Sequence, residues 1–133
     1  MVEAELVEIR INEVDHEQII LLAEREGDRH LPIVIGLCEA NAIHIRAIGI
    51  QPPRPLTHDL LNNTILELGG EIDRIVISDL VDGTFYAQII VDMGDEERMI
   101  DARPSDAIAL AVRAGCAIFI EDHVLDRNQE EAF

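Results

Sequence analysis

The run Ala107-Ile108-Ala109-Leu110-Ala111-Val112 is apolar on every face of the helix it would form. The fold must therefore cover that helix on nearly all sides. Asp101-Ala102-Arg103-Pro104-Ser105-Asp106 leads into it, so that a strand ends and a helix begins within a few residues. Pro104 suits a first helical turn and Asp106 is placed against the positive end of the helix dipole. Charges at the mouth of a buried helix have two readings. In one, Asp106 or Ser105 satisfies free backbone N–H groups and Arg103 pairs with Asp101. In the other, they face a metal or an anion.

The chain around this helix is 133 residues long, enough to bury roughly two thirds of its unfolded surface as one domain. Val2, Ala4 and Leu6 share one strand face and Val7, Ile9 and Ile11 the other, which predicts a bulge or strong twist between Leu6 and Val7. A turn at 12–15 then leads to two further strands, Ile19–Ala23 and Leu31–Ile35, the second read as deeply buried. From Gly36 the spacing of Leu37, Ala40, Ile43 and Ala47 becomes helical, ending at Gly49. Three prolines between Gln51 and Pro55 make a stiff connector, and Thr57 is placed to cap a second helix running to Gly69. Asp82-Gly83 predicts a hairpin between strands at 72–80 and 84–92. A short strand, Arg98–Asp101, precedes the buried helix, and Ala117–Ile120 forms the last strand. The expected fold is α+β: a single domain, with a mixed or antiparallel sheet and about three helices in the order βββ-αα-βββ-α-β. Residues 1–126 form the domain and 127–133 a polar tail, frayed over Gln129–Ala132.

Charge restricts function more than length does. Twenty-seven acidic residues oppose ten basic ones, all arginine, for a net charge of −17. With no lysine, Schiff-base chemistry and a phosphate-loop lysine are excluded. The field repels polyanions at long range, so nucleic acid is a disfavoured partner unless clustered arginines or a bound divalent metal overcome that field locally. No apolar run approaches the ~20 residues needed to cross a bilayer, so no membrane association is expected. Cys38 and Cys116 sit in apolar surroundings and are read as reduced core thiols, which points to a cytoplasmic protein.

Arg54-Pro55-Leu56-Thr57-His58-Asp59 repeats the grammar of arginine, proline, hydroxyl residue and aspartate at a helix start. Thr57 and Asp59 are explained by capping. His58 is less so, and adjacent helical residues do not face each other, which argues against a His58–Asp59 relay. Glu39 is either an early-helix carboxylate favoured by the dipole or a ligand facing a cleft. Asp79 and Asp82 flank the hairpin turn, although Asp79 could face the same cleft. Carboxylates with an imidazole suit magnesium, manganese or calcium better than a thiolate zinc site.

The segments LPIVIG with EANAI, RPLTHDLL, DGTFYA and DARPSDAIALA occur in that order, and together they resemble the bifunctional nuclease domain family over residues 2–126. The resemblance implies phosphodiester hydrolysis of DNA and RNA with a divalent metal, Mg or Mn, and a homo-oligomer, dimer or higher. On that reading Glu39, Asp59, Asp101 and Asp106 are the candidate catalytic carboxylates, with Glu39, Asp59 and Asp106 holding metal. Arg54, Arg103, Ser105 and His58 contact substrate. The alternatives are a non-catalytic oligomeric module binding a small anionic ligand or a protein partner, and motifs that serve mainly to fix the fold.

Overall fold

A single mixed sheet of seven strands organises the chain in the order β3-β2-β1-β7-β4-β5-β6. It is seen in a computed structural model that describes residues 1–12, 14 and 17–131. Glu13 and Asp15 of the expected 12–15 turn, and Ala132 of the expected tail, lie outside the described residues.

The strands are β1 (Val2–Arg10), β2 (Gln18–Glu24), β3 (His30–Ile35), β4 (Glu71–Val81), β5 (Thr84–Asp92), β6 (Glu97–Ala102) and β7 (Ala117–Ile120). The helices are α1 (Leu37–Ala47), α2 (Thr57–Glu67), α3 (Pro104–Ala114) and α4 (Asp122–Glu131). β1-β2-β3 and β4-β5-β6 are two antiparallel meanders. Between them lies β7, antiparallel to β1 and parallel to β4.

Local sequence explains most of these elements. The bulge falls where the parity of β1 switches: pairing passes from Leu6 opposite Leu22 to Glu8 opposite Leu21, leaving Val7 as the extra residue. Asp82 and Gly83 both have positive φ, 50° and 78°, as the tight turn between β4 and β5 requires. In β3, Leu31, Ile33 and Ile35 are buried while Pro32 and Val34 are exposed. It is thus an edge strand with one wet face, not the deeply buried strand expected, and an edge is where proline costs least.

α3 lies at the centre of the core. Ala107, Ile108, Ala109 and Leu110 are fully buried, each large side chain stabilising the fold by roughly 1.5–3 kcal/mol. Strands β4, β5 and β7 pack on one side of it and α1 and α2 on another. The cover that its sequence demands comes from this chain itself, so the alanine-rich helix supplies no argument for an oligomer. Exposed apolar side chains occur on several elements, Val34, Ile48, Ile50 and Met99 among them, and four lie on α2 and just beyond it: Leu60, Leu61, Leu66 and Leu68.

α4 was not expected. Of its residues up to Gln129 only Val124 and Leu125 are apolar and buried, too short a pattern to signal a helix in a polar segment. It packs against β3 and β4, bringing the helix count to four. No helix among the described residues is long and apolar enough to cross a membrane.

Candidate functional site

The starts of α2 and α3, though 48 residues apart in sequence, meet in space. His58, the second residue of α2, places Nε2 2.9 Å from Oδ1 of Asp106, the third residue of α3. The other carboxylate oxygen, Oδ2, accepts from Nε of Arg103 at 2.9 Å. Nη1 of Arg103 lies 3.4 Å from Oε1 of Glu39 in the first turn of α1. Gly36 assists locally, because a β-carbon there would strike the Glu39 carboxylate. These four side chains line one cavity of about 310 Å³, together with Cys38 and Thr57.

Asp106 is no helix cap: the first turn of α3 carries no side-chain cap hydrogen bond, and both carboxylate oxygens are spent on His58 and Arg103. Partial burial would raise its pKa, but the hydrogen bonds from His58 and Arg103 outweigh burial and hold it below the usual carboxylate value. It is therefore an anion at neutral pH, anchoring the imidazole by one nitrogen. The His58 side chain is only 15% exposed. Its Nδ1 has no hydrogen-bond partner among the described residues, and none of their buried side-chain nitrogens or oxygens is left unsatisfied, so Nδ1 reaches solvent. With Nε2–H donated to Asp106, Nδ1 carries the free lone pair, the arrangement a general base needs.

Asp59 has a different fate. Its Oδ1 accepts from Nε of Arg113 at 2.6 Å, and its Oδ2 accepts from the Leu56 N–H at 2.9 Å. The Arg113 side chain, 3% exposed, also donates to the carbonyls of Ala109 and Ala42. One guanidinium thus ties α1, α2 and α3 together. Burial pushes the Asp59 carboxyl up, but the Leu56 N–H and Arg113, with Arg46 at longer range, bring it below its ordinary value. Leu56, not Thr57, is the residue before α2, so the expected Thr57 cap is displaced by one position and Asp59 performs the capping.

The remaining sequence candidates are scattered. Arg54 lines a second cavity of about 390 Å³ with Arg46, Asn62 and Asn63, beside the Asp59–Arg113 pair. Ser105 lines another hollow, between β3 and the start of β5, which Arg103 also borders. Asp101 is exposed on edge strand β6 opposite Gln88, and Arg103 pairs with Glu39 and Asp106 instead of with it. Asp79 is bound to His123 and Arg127 of α4, and Asp82 makes the hairpin turn. Glu39, Asp59 and Asp106 therefore do not converge. Among the described residues no three His, Cys, Asp or Glu side chains are grouped to hold a metal ion, and a guanidinium occupies the space between Glu39 and Asp106. The residues as arranged do not fit the expected magnesium or manganese site.

Two relevant residues, Arg113 and Arg46, were not among the sequence candidates, and a third, Cys38, differs from its expected place in the core. Arg113 carried a signal: it is a lone charge in the last turn of an otherwise apolar helix. Arg46 lay off the apolar stripe of α1 and looked like ordinary surface. Cys38 is exposed in the His58 cavity, not a core thiol. Cys116 does fit the inert reading, since burial pushes its thiol up to about 11.

Comparison with known proteins adds a relationship to this geometry. A family model described as the bifunctional nuclease domain matches residues 20–132. The Mycobacterium tuberculosis H37Rv protein Rv1829, described as uncharacterized, is 43% identical over 99% of this chain and 84% of its own. Bifunctional nuclease 1 of Oryza sativa subsp. indica is 28% identical over 85% of this chain, and Bifunctional nuclease 2 of Arabidopsis thaliana is 24% identical over 85%. In each plant protein the matched region is 35% of the total length.

Proposed function

Because this chain belongs to the bifunctional nuclease domain family, we propose that it hydrolyses phosphodiester bonds in DNA and RNA at the cavity between the starts of α2 and α3. The observation that carries this reading is the His58 Nε2 to Asp106 Oδ1 bond of 2.9 Å, which fixes the ring and leaves Nδ1 open to solvent. In the proposed reaction Nδ1 removes a proton from water, and the resulting hydroxide attacks phosphorus. The P–O bond to the departing sugar breaks, the leaving oxygen takes up a proton from solvent, and the imidazolium returns its proton to solvent. Asp106 stabilises the imidazolium that forms in between. Nη2 of Arg103 has no hydrogen-bond partner among the described residues and is the nearest donor for a phosphate oxygen. No step is assigned to a metal, because the carboxylates expected to hold one are dispersed or paired with arginine.

The test is cleavage of single-stranded DNA and RNA oligonucleotides by purified protein, with EDTA and with added magnesium. The expected result is activity that survives EDTA and falls at least ~100-fold in His58→Ala. Activity that EDTA abolishes and His58→Ala leaves intact overturns the assignment. A specific observation favours the second reading, a non-catalytic anion-binding module: in the His58 cavity two carboxylates face one arginine, a poor environment for phosphate. Complete absence of turnover in the intact protein selects it. We also propose that the expected homo-oligomer forms through the exposed leucines of α2, so that sedimentation of Leu60→Glu should show smaller species than the parent.

A further inference from the structure

Arg46, near the end of α1, and Arg54, in the proline connector, have no carboxylate partner among the described residues, while every other arginine in the chain is ion-paired with an Asp or Glu. Both line the cavity of about 390 Å³ between α1, the connector and α2. The third arginine there, Arg113, is spent on Asp59 and two carbonyls. In a protein of net charge −17, uncommitted guanidiniums are rare, and here both border one hollow. Two like charges on one hollow repel each other, and an anion is the group that relieves this.

The rest of the lining narrows the anion's identity. Gln51, Asn62 and Asn63 each offer an amide donor and acceptor, and Ile50 with Pro53 provides apolar wall. The volume falls within the ~300–1,000 Å³ range of small-ligand pockets. Guanidiniums match phosphate oxygens in pairs, and side-chain amides match the hydrogen-bonding edges of bases. We propose that this cavity is a nucleotide-binding site, in which Arg46 and Arg54 hold a phosphate ester and the amides contact the base. Its neighbour shares a short segment with it: Arg54, Pro55 and Asp59 border the nucleotide cavity, and Leu56, Thr57 and His58 border the other. The two cavities therefore border one short segment of chain. The choice of a nucleotide as ligand rests on the nuclease reading; the anion site itself does not.

The experiment is calorimetric titration of the full chain with adenosine 5′-monophosphate, which has no diester to cleave, against adenosine and inorganic phosphate as controls. Binding of the monophosphate at least tenfold tighter than either control is expected. Arg46→Ala and Arg54→Ala should each weaken it about tenfold, Arg54→Ala leaving the melting temperature unchanged and Arg46→Ala lowering it only slightly, since Arg46 acts on Asp59 only at longer range. Absence of monophosphate binding, binding that both variants retain, or equal affinity for inorganic phosphate overturns the proposal. A protein that cuts oligonucleotides but ignores the monophosphate loses this site and keeps the nuclease reading. One that binds it through Arg46 and Arg54 yet cuts nothing does the reverse.

Discussion

The two cavities on either side of Arg54–Asp59 both set arginine against carboxylate and differ in how those charges are committed. Around His58 two carboxylates share one arginine, and the imidazole is held through Nε2 by a carboxylate that would otherwise repel a phosphate. Around Arg54 three arginines face one aspartate, and two of them have no carboxylate partner among the described residues. Acid–base chemistry needs an anion to orient and stabilise an imidazole, whereas phosphate capture needs uncompensated cations. Placing both in one hollow would let them cancel. A segment of six residues, Arg54–Asp59, keeps them apart.

The largest effect that separates the two is on turnover. His58→Ala should lower oligonucleotide cleavage at least ~100-fold and leave monophosphate affinity untouched, read by gel assay and calorimetry. If both fall together, the cavities are one site. Next comes stability: Arg113→Ala strands Asp59 and unties three helices, so it should destabilise by about 3 kcal/mol in chemical denaturation. Arg103→Ala, at an exposed pair, should leave stability nearly unchanged. Third, losing both Arg46 and Arg54 should reduce the salt dependence of oligonucleotide binding by about two in log–log slope. An unchanged slope places the strand elsewhere.

Acid should affect both regions with the same sign. Asp59 and Asp106 have carboxyls below their ordinary values. The stability they contribute is complete above the unfolded-state pKa of about 3.9 and is lost as pH falls through their lower folded values. Arg113→Ala should shrink the Asp59 share of that loss, measurable as a shallower slope of stability against pH below about 4. The smallest effect belongs to Asp101→Ala, which should alter stability by under about 0.5 kcal/mol and leave both activities alone.

Local grammar in the sequence was enough to place the bulge at Val7, the Asp82-Gly83 turn and the burial of the Ala107–Ala111 helix, because each is a property of a few adjacent residues. It also brought Arg103, Asp106, His58 and Glu39 forward as candidates. Which of them meet depends on how α2 packs on α3, and that is decided by the shape of distant apolar faces. Asp59 and Asp106 look alike in sequence, yet one caps α2 and seals a buried arginine while the other orients a histidine. Arg46 gave no sign at all, since its significance lies in having no ion-pair partner among the described residues, and partners are tertiary facts. The same holds for α4, whose two buried residues matter only beside β3 and β4.

Strand β7 imposes an order of events on the molecule. Both meanders are local in sequence and each can pair its own neighbours, but among the described residues the only strand joining them is Ala117–Ile120, four residues synthesised after both meanders. Until that seam is in place the inner edges of β1 and β4 are bare, and bare edges invite pairing with other chains. A nascent or heated molecule should therefore be most at risk of aggregation just before its last strand is inserted, and the four residues of β7 act as the latch on the whole sheet.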